Sequence, residues 1–442
     1  SMDFLRKLKR APHRAEIKDQ DEVKRRYKYW RLRIFYGMYI GYIFYYFTRK
    51  SLTFAMPLLI ADLGYTKADL GFLASILALT YGVSKFFSGI LSDHANPRFF
   101  MSIGLIVTGV INIFFGLTSS IAFFALFWGV NGFFQGWGWP PCARLLTHWY
   151  SQKERGTWWG FWNTSHNLGG ALIPLVAAFS AQLWGWRYAL FMPGTFSIIA
   201  GLFIMNRLRD TPQSLGLPTI EKFKNDHPAK VKHEHELTTK QIVVKYLLKN
   251  KYIWILSLAY FFVYIVRTAI NDWSLLFLIE KKGYSMIAAG ICIFAFEVGG
   301  MLGSLSAGFF SDRLCRGKRG PINVLYSLFA MGALFLFSTF SSSSPLIDSL
   351  ILALIGFFIF GPQMLIGIAA AELSSKKAAG SATGFVGLFA YIGAATAGYP
   401  LGFMTEKWGW EGFFLVTVVC AGIAALILSP LWSVQYNRDL SG

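Results

Sequence analysis

Tyr42-Ile43-Phe44-Tyr45-Tyr46-Phe47-Thr48-Arg49 and, 218 residues on, Tyr260-Phe261-Phe262-Val263-Tyr264-Ile265-Val266-Arg267 are two copies of one pattern. In each, Tyr, Tyr and Arg fall at i, i+4 and i+7, which on a helix is a single face. Both stretches are otherwise apolar and long enough to cross a bilayer. An arginine inside such a helix costs roughly 2.5–3.5 kcal/mol on insertion scales. Meeting that cost twice, at matching positions, points to an anion handled jointly by two related halves. Tyr42, Tyr46 and Arg49 with Tyr264 and Arg267 are therefore the leading candidate site residues.

The rest of the chain agrees with a membrane setting. Of its 442 residues, 54% are hydrophobic and 17% aromatic, and only 15% are charged, against about 25% in soluble domains. Apolar runs of membrane-spanning length recur along the chain, so the class is an all-α integral membrane protein. No soluble catalytic domain is left over, and enzymatic activity is not expected. The net charge of +19 would suit nucleic acid, but its distribution argues against that partner. Basic residues gather in the N-terminal segment, in one long middle loop and in alternate short loops. That is the positive-inside pattern, with anionic lipid headgroups as the neighbouring charge. Cys142, Cys292, Cys315 and Cys420 show no ligand or disulfide spacing and read as small apolar packing residues. No metal and no cofactor is expected, and the lack of a phosphate-cradling nucleotide loop argues against direct ATP drive. Ser1-Met2 reads as the scar of a removed tag, with Met2 the natural start. The basic first 33 residues give no cleavable signal peptide.

Twelve spans are expected, near 31–53, 70–92, 99–118, 121–147, 158–183, 187–206, 251–279, 286–311, 321–341, 346–370, 379–403 and 409–432. One set of loops carries Arg98, then Arg144, Lys153 and Arg155, then Arg313, Arg316, Lys318 and Arg319, then Lys376 and Lys377. The other set is nearly bare, apart from Lys67, Lys281, Lys282 and Lys407. Both termini are therefore expected in the cytoplasm of a bacterial-type inner membrane. The organisation expected is a basic N-terminal segment (1–30), a first six-helix bundle (31–206), a cytoplasmic linker (207–249), a second bundle (250–433) and a tail (434–442). The linker histidines His227, His233 and His235 could suggest a metal, but their solvated, charge-rich setting reads as surface. The repeat extends well past the arginines: Ser92-Asp93 matches Ser311-Asp312, and Trp184-Gly185-Trp186 matches Trp408-Gly409-Trp410. Two bundles of like orientation, related by an axis along the membrane normal, follow.

Gly89 with Ser92-Asp93 and Arg98, and Gly308 with Ser311-Asp312 and Arg313, lie in equivalent loops. Their small residues allow close helix approach, and each aspartate can cap the next helix or pair with a basic residue. Asp93, Arg98, Asp312 and Arg313 are read as a conformational latch. Lys85, inside the second span, is a phosphate candidate or a residue reaching the interface. Asn163 and His166 share a face of the fifth span, and the imidazole can donate to phosphate with a proton that follows its charge. Asp272 and Glu297 are acids within the seventh and eighth spans, able to balance the arginines or to accept from sugar hydroxyls. Trp139-Pro140-Pro141 and Gly361-Pro362-Gln363 are expected to break the fourth and tenth spans.

Phe47-Thr48-Arg49-Lys50, Tyr81-Gly82-Val83-Ser84-Lys85-Phe86, Gln135-Gly136-Trp137-Gly138-Trp139-Pro140-Pro141-Cys142, Ser151-Gln152-Lys153-Glu154-Arg155-Gly156, Trp162-Asn163-Thr164-Ser165-His166-Asn167 and Asp210-Thr211-Pro212-Gln213-Ser214-Leu215-Gly216-Leu217 together resemble the organophosphate:phosphate antiporters of the major facilitator superfamily. The likeness runs from about residue 25 onward and is nearest the hexose-phosphate branch. The resemblance implies the superfamily fold: twelve transmembrane helices in two pseudo-symmetric bundles. It implies that Arg49 and Arg267 hold phosphate and places Lys85, His166, Tyr42, Tyr46, Tyr264 and Tyr391 in or beside a central cavity. One departure is Phe360, where the glycerol-3-phosphate transporters carry tyrosine.

The function expected is exchange of a hexose phosphate, glucose 6-phosphate foremost, for inorganic phosphate, by a monomer. Two guanidinium groups about 10 Å apart would repel by about 1.7 kcal/mol at an effective dielectric near 20. A dianion reverses that sign, so the loaded carrier should reorient more readily than the empty one. Two alternatives stand beside this. One is a membrane sensor of glucose 6-phosphate that signals to a histidine kinase partner. The other is a proton-coupled sugar or drug carrier, which needs acidic proton sites but no paired arginines.

Overall fold

The computed structural model of the chain describes residues 2–226, 239–340, 343–374 and 379–434. The linker histidines, Lys376, Lys377, most of the C-terminal tail and the side chains of Asp93, Lys153 and Arg155 lie outside the described residues.

Capping chemistry sets the helix starts. A short helix α1 (Met2–Leu8) precedes α2 (Gln20–Leu63), whose first turn holds Asp21 and Glu22 against the positive end of its dipole. After α3 (Lys67–Asp93), α4 (Pro97–Leu117) begins at Asn96, whose side chain accepts from the Arg98 amide, with Pro97 in the first turn. Asparagine directly before proline places an acceptor and a pre-set φ at the right step. The fourth expected span is two helices, α5 (Ile121–Gln135) and α6 (Trp139–Trp149), separated by Gly136-Trp137-Gly138. Helix α7 (Gln152–Trp184) opens with a reciprocal capping box between Ser151 and Glu154, and α8 (Tyr188–Arg207) follows.

A short α9 (Ile220–Lys224) closes the first half, and the second begins with α10 (Thr239–Gln241), which runs on as a π-helical stretch, Ile242–Leu248. Then come α11 (Lys251–Lys282), α12 (Met286–Arg313), α13 (Gly320–Thr339), α14 (Pro345–Glu372), α15 (Ala379–Thr396) and α16 (Tyr399–Leu428). Eight segments of the described residues are long and apolar enough to cross a membrane, the last of them, 381–431, covering two expected spans. The first expected span falls short because Arg49, Lys50 and its tyrosines dilute it, and the fourth because it is divided.

Pro362 does not break the tenth span, contrary to expectation: α14 runs through it. Neighbouring side chains donate to carbonyls on either side, Ser304 to Phe360 O at 3.3 Å and Tyr260 to Gln363 O at 2.6 Å. The eleventh span stops at Thr396 rather than near 403, at Ala397-Gly398, where Ser75 Oγ takes up the Tyr399 amide at 2.8 Å.

The chain forms two compact units, Ser1–Leu52 with Thr80–Glu234, and Thr53–Leu79 with His235–Gly442. In the first, α4 packs along α8, and a core of Tyr27, Tyr45, Trp149, Tyr150 and Trp162 is shut off from solvent. In the second, α13 packs along α16, the repeat of that pair, and α12 lies close on α14. A β-carbon on Gly303 would sit 2.0 Å from the Phe357 carbonyl oxygen, so only glycine permits that approach. The second unit also holds the turn joining α2 and α3: Ser75 Oγ donates to Ala395 O at 2.6 Å, and Lys67 Nζ meets Glu280 at 3.1 Å.

The repeat is visible in the backbone. Gly185 turns the chain from α7 to α8 at φ 102° and ψ 174°. Gly409, 224 residues later in the numbering, kinks α16 at φ 72° and ψ −171°. Side-chain-bearing residues avoid that region, which explains the glycine between tryptophans in both copies.

Candidate functional site

In the first unit, α2 carries Tyr42, Tyr46 and Arg49 on one face, as the spacing predicts. The Arg49 guanidinium lies 4.4 Å from the ring centre of Tyr46 and 4.6 Å from that of Tyr81, on α3. Cation–π contact on two faces fixes its plane. Its Nε donates to Gln135 Oε1 at 3.3 Å, and Gln135 is itself held by Nε2 donating to Thr48 Oγ1 at 2.8 Å. Lys85 joins the same group, with Nζ 5.8 Å from the Tyr81 ring. His166 on α7 lies 5.8 Å from the Tyr46 ring, and Tyr42 lies 5.7 Å from Tyr46 and 4.8 Å from Trp162. Asn163 is exposed on α7 and makes no side-chain hydrogen bond among the described residues.

In the second unit the same plan appears with different backing. The Arg267 guanidinium lies 5.3 Å from the Tyr264 ring and 5.1 Å from the ring of Phe360. Tyr264 is packed between Tyr260, at 4.9 Å, and Tyr391, at 6.1 Å. Asp272 and Glu297 are both buried. Glu297 Oε1 accepts from Asn271 Nδ2 at 2.6 Å, and Asp272 Oδ1 accepts from Thr53 Oγ1 at 3.4 Å. Two buried acceptors, Asn271 Oδ1 and Gln363 Oε1, have no partner among the described residues.

In the loop after α12, Asp312 pairs with a basic residue, Arg319: Arg319 Nη1 donates to Asp312 Oδ1 at 2.5 Å and Nη2 to Glu372 Oε1 at 2.7 Å. Arg313 lies 5.3 Å from the Phe309 ring. Burial pulls the Arg319 guanidinium down, and its bonds to Glu372 and Asp312 outweigh this and hold it above its ordinary value. Arg98 donates from Nε to Met205 O at 2.6 Å.

Sequence reasoning missed Tyr81, Gln135 and Gln363 as neighbours of the candidate residues, and the bond of Arg319 to Glu372. A signal existed for Gln135, an amide in an apolar span directly before Gly-Trp-Gly. Tyr81 stands one turn before Lys85, which was singled out. No local signal marks Glu372 as the partner of Arg319.

The family model described as Major Facilitator Superfamily matches residues 38–398. A "Probable hexose phosphate transport protein" of Chlamydia trachomatis is 56% identical over 447 residues, covering 98% of each chain. The "Membrane sensor protein UhpC" of Escherichia coli is 48% identical over 437 residues, covering 97% of this chain and 99% of its own. Among solved structures, a bacterial homologue of the human lysosomal transporter Spinster, inward-facing and occupied, matches with a TM-score of 0.74 at 16% identity. It covers 91% of this chain and 97% of that one, a likeness of fold alone. A polytopic helical chain with a ring-backed arginine in each of two repeats is, by class, a membrane transporter. The chain belongs to the Major Facilitator Superfamily, in its organophosphate:phosphate antiporter branch.

Proposed function

We propose that this protein exchanges a hexose phosphate, glucose 6-phosphate foremost, for inorganic phosphate by alternating access. The observation that carries the reading is the repeated guanidinium-on-tyrosine geometry, Arg49 on Tyr46 at 4.4 Å and Arg267 on Tyr264 at 5.3 Å. A planar, permanently charged fork held rigid by rings suits two phosphate oxygens. In this reading Arg49 and Arg267 each present a guanidinium to phosphate, with Lys85, His166, Tyr46 and Tyr264 beside them. Tyr42, Asn163, Tyr391, Asp272 and Glu297 belong to the sugar side. The buried acceptors Asn271 Oδ1 and Gln363 Oε1 favour a ligand rich in hydroxyl donors, since such atoms are costly to leave unpaired. The relative named as a hexose phosphate transport protein supports the same substrate class. The protein works as a monomer in a bacterial inner membrane, with both termini in the cytoplasm and Asp93, Arg98, Asp312 and Arg313 marking the latch loops.

The test is counterflow. Vesicles loaded with phosphate should take up labelled glucose 6-phosphate, take up glycerol 3-phosphate less, and exclude free glucose. Entry of free glucose at a comparable rate would remove the anion-exchange reading.

A second reading is favoured by the 48% identity to a membrane sensor protein: the same residues would bind glucose 6-phosphate to signal to a histidine kinase partner. Binding of the sugar phosphate without any exchange in the vesicles would select it.

A further inference from the structure

Away from the arginines, the first unit contains a cleft of about 450 Å³ between the start of α2, the start of α7 and α9. Its wall on α2 is one helical stripe, with Lys24, Tyr27, Lys28, Arg31 and Phe35 among the lining residues. This stripe lies where α2 passes from a charged sequence into its apolar span, the level at which lipid headgroups sit.

The floor is aromatic and well fixed. Tyr27 stacks on Phe223 at 4.1 Å and 12°, and Trp158 packs on Tyr150 at 5.0 Å and on Phe35 at 5.1 Å. The rim is cationic. Four cations, Lys24, Lys28, Arg31 and Lys224, face a single carboxylate, Glu154. Glu154 is heavily engaged: it accepts from Arg31 at 2.8 Å, from its own helix-capping amide Ser151 N at 3.2 Å, and has Lys224 at 3.9 Å. Arg31 is further held 4.5 Å above the Tyr150 ring. Lys24 and Lys28 have no ion-pair partner among the described residues and are exposed. The cleft therefore combines surplus positive charge with an apolar floor at interfacial depth. An inorganic ion would use only the rim.

We propose that this cleft binds the phosphodiester headgroup of an anionic phospholipid, with Lys24, Lys28 and Arg31 around the phosphate and Phe35 and Trp158 against the glycerol and first acyl carbons. Basic recesses between helices at the headgroup level recognise anionic lipids in this way.

The test is native mass spectrometry of the full chain, titrated with phosphatidylglycerol and, separately, with phosphatidylcholine of the same acyl chains. Phosphatidylglycerol should be retained and phosphatidylcholine should not. A lysine near an anionic headgroup contributes roughly fivefold in affinity, so Lys24→Gln with Lys28→Gln should weaken phosphatidylglycerol binding by about 30-fold. Glu154→Gln keeps an acceptor for the capping box but removes the opposing charge, and should tighten binding. This arm decides the matter if the double variant fails to fold. Unchanged affinity in the double variant, or weaker binding in Glu154→Gln, overturns the proposal. Inorganic phosphate or glucose 6-phosphate displacing the lipid at equal concentration also overturns it, assigning the cleft to a soluble anion.

Discussion

Gln135 holds Arg49 through its Nε at 3.3 Å, and does so from the last helical residue before the fourth span divides. The helix break and the orientation of the guanidinium are thus one feature: Gly136 and Gly138 end α5 where an amide meets the arginine. A hydrogen bond to a charged group contributes about 1.5–3 kcal/mol. Gln135→Leu should therefore weaken phosphate exchange by roughly 10- to 100-fold, seen mainly in KM. Gln135→Glu should be worse, because a carboxylate there would compete with phosphate for Arg49. Wild-type exchange in Gln135→Glu proteoliposomes would show that Arg49 does not bind the cargo.

Arg49→Lys and Arg267→Lys keep the charge but lose the planar fork. Each should reduce phosphate-driven uptake of glucose 6-phosphate by about 100-fold or more, because a bidentate contact becomes a point contact. Uptake rates in vesicles with matched protein content make the comparison. His166→Gln retains a donor and should weaken binding only several-fold, and an affinity left untouched would make His166 a packing residue.

Gly185→Ala and Gly409→Ala place a β-carbon at φ 102° and φ 72° with open space around it. The cost is therefore backbone strain alone, about 1–3 kcal/mol each. Gly332→Ala, in a helix and equally unobstructed, serves as the control and should be neutral or slightly stabilising, since alanine favours helix by about 1 kcal/mol over glycine. Thermal melts in detergent that fall for all three alike would contradict this assignment.

Arg319→Ala should destabilise by about 1–3 kcal/mol through its lost bonds to Glu372 and Ser311, with the exposed Asp312 adding little. Arg313→Ala should stay within about 0.5 kcal/mol of the parent. Equal melting temperatures for the two variants would mean that the Arg319 cluster holds nothing together.

How much of this was legible beforehand follows from range. The i, i+4, i+7 faces of α2 and α11, and the Trp-Gly-Trp corners, are local and were readable from spacing. The Asn96 cap is local as well, since asparagine before proline is a helix-start signal. Gln135 on Arg49 and Glu372 on Arg319 join residues 86 and 53 positions apart. Only tertiary packing creates such pairs. Pro362 carries no local sign that α14 runs through it, because whether a membrane helix breaks at proline depends on how its neighbours pack.

Arg49 and Arg267 look like twins in the primary structure, yet Gln135 meets one guanidinium from the end of α5, while the bare phenyl of Phe360 backs the other. The two charges therefore sit in unlike surroundings. Mirror-image substitutions in the two repeats should accordingly produce unequal defects, and the duplicated gene need not have kept its copies interchangeable.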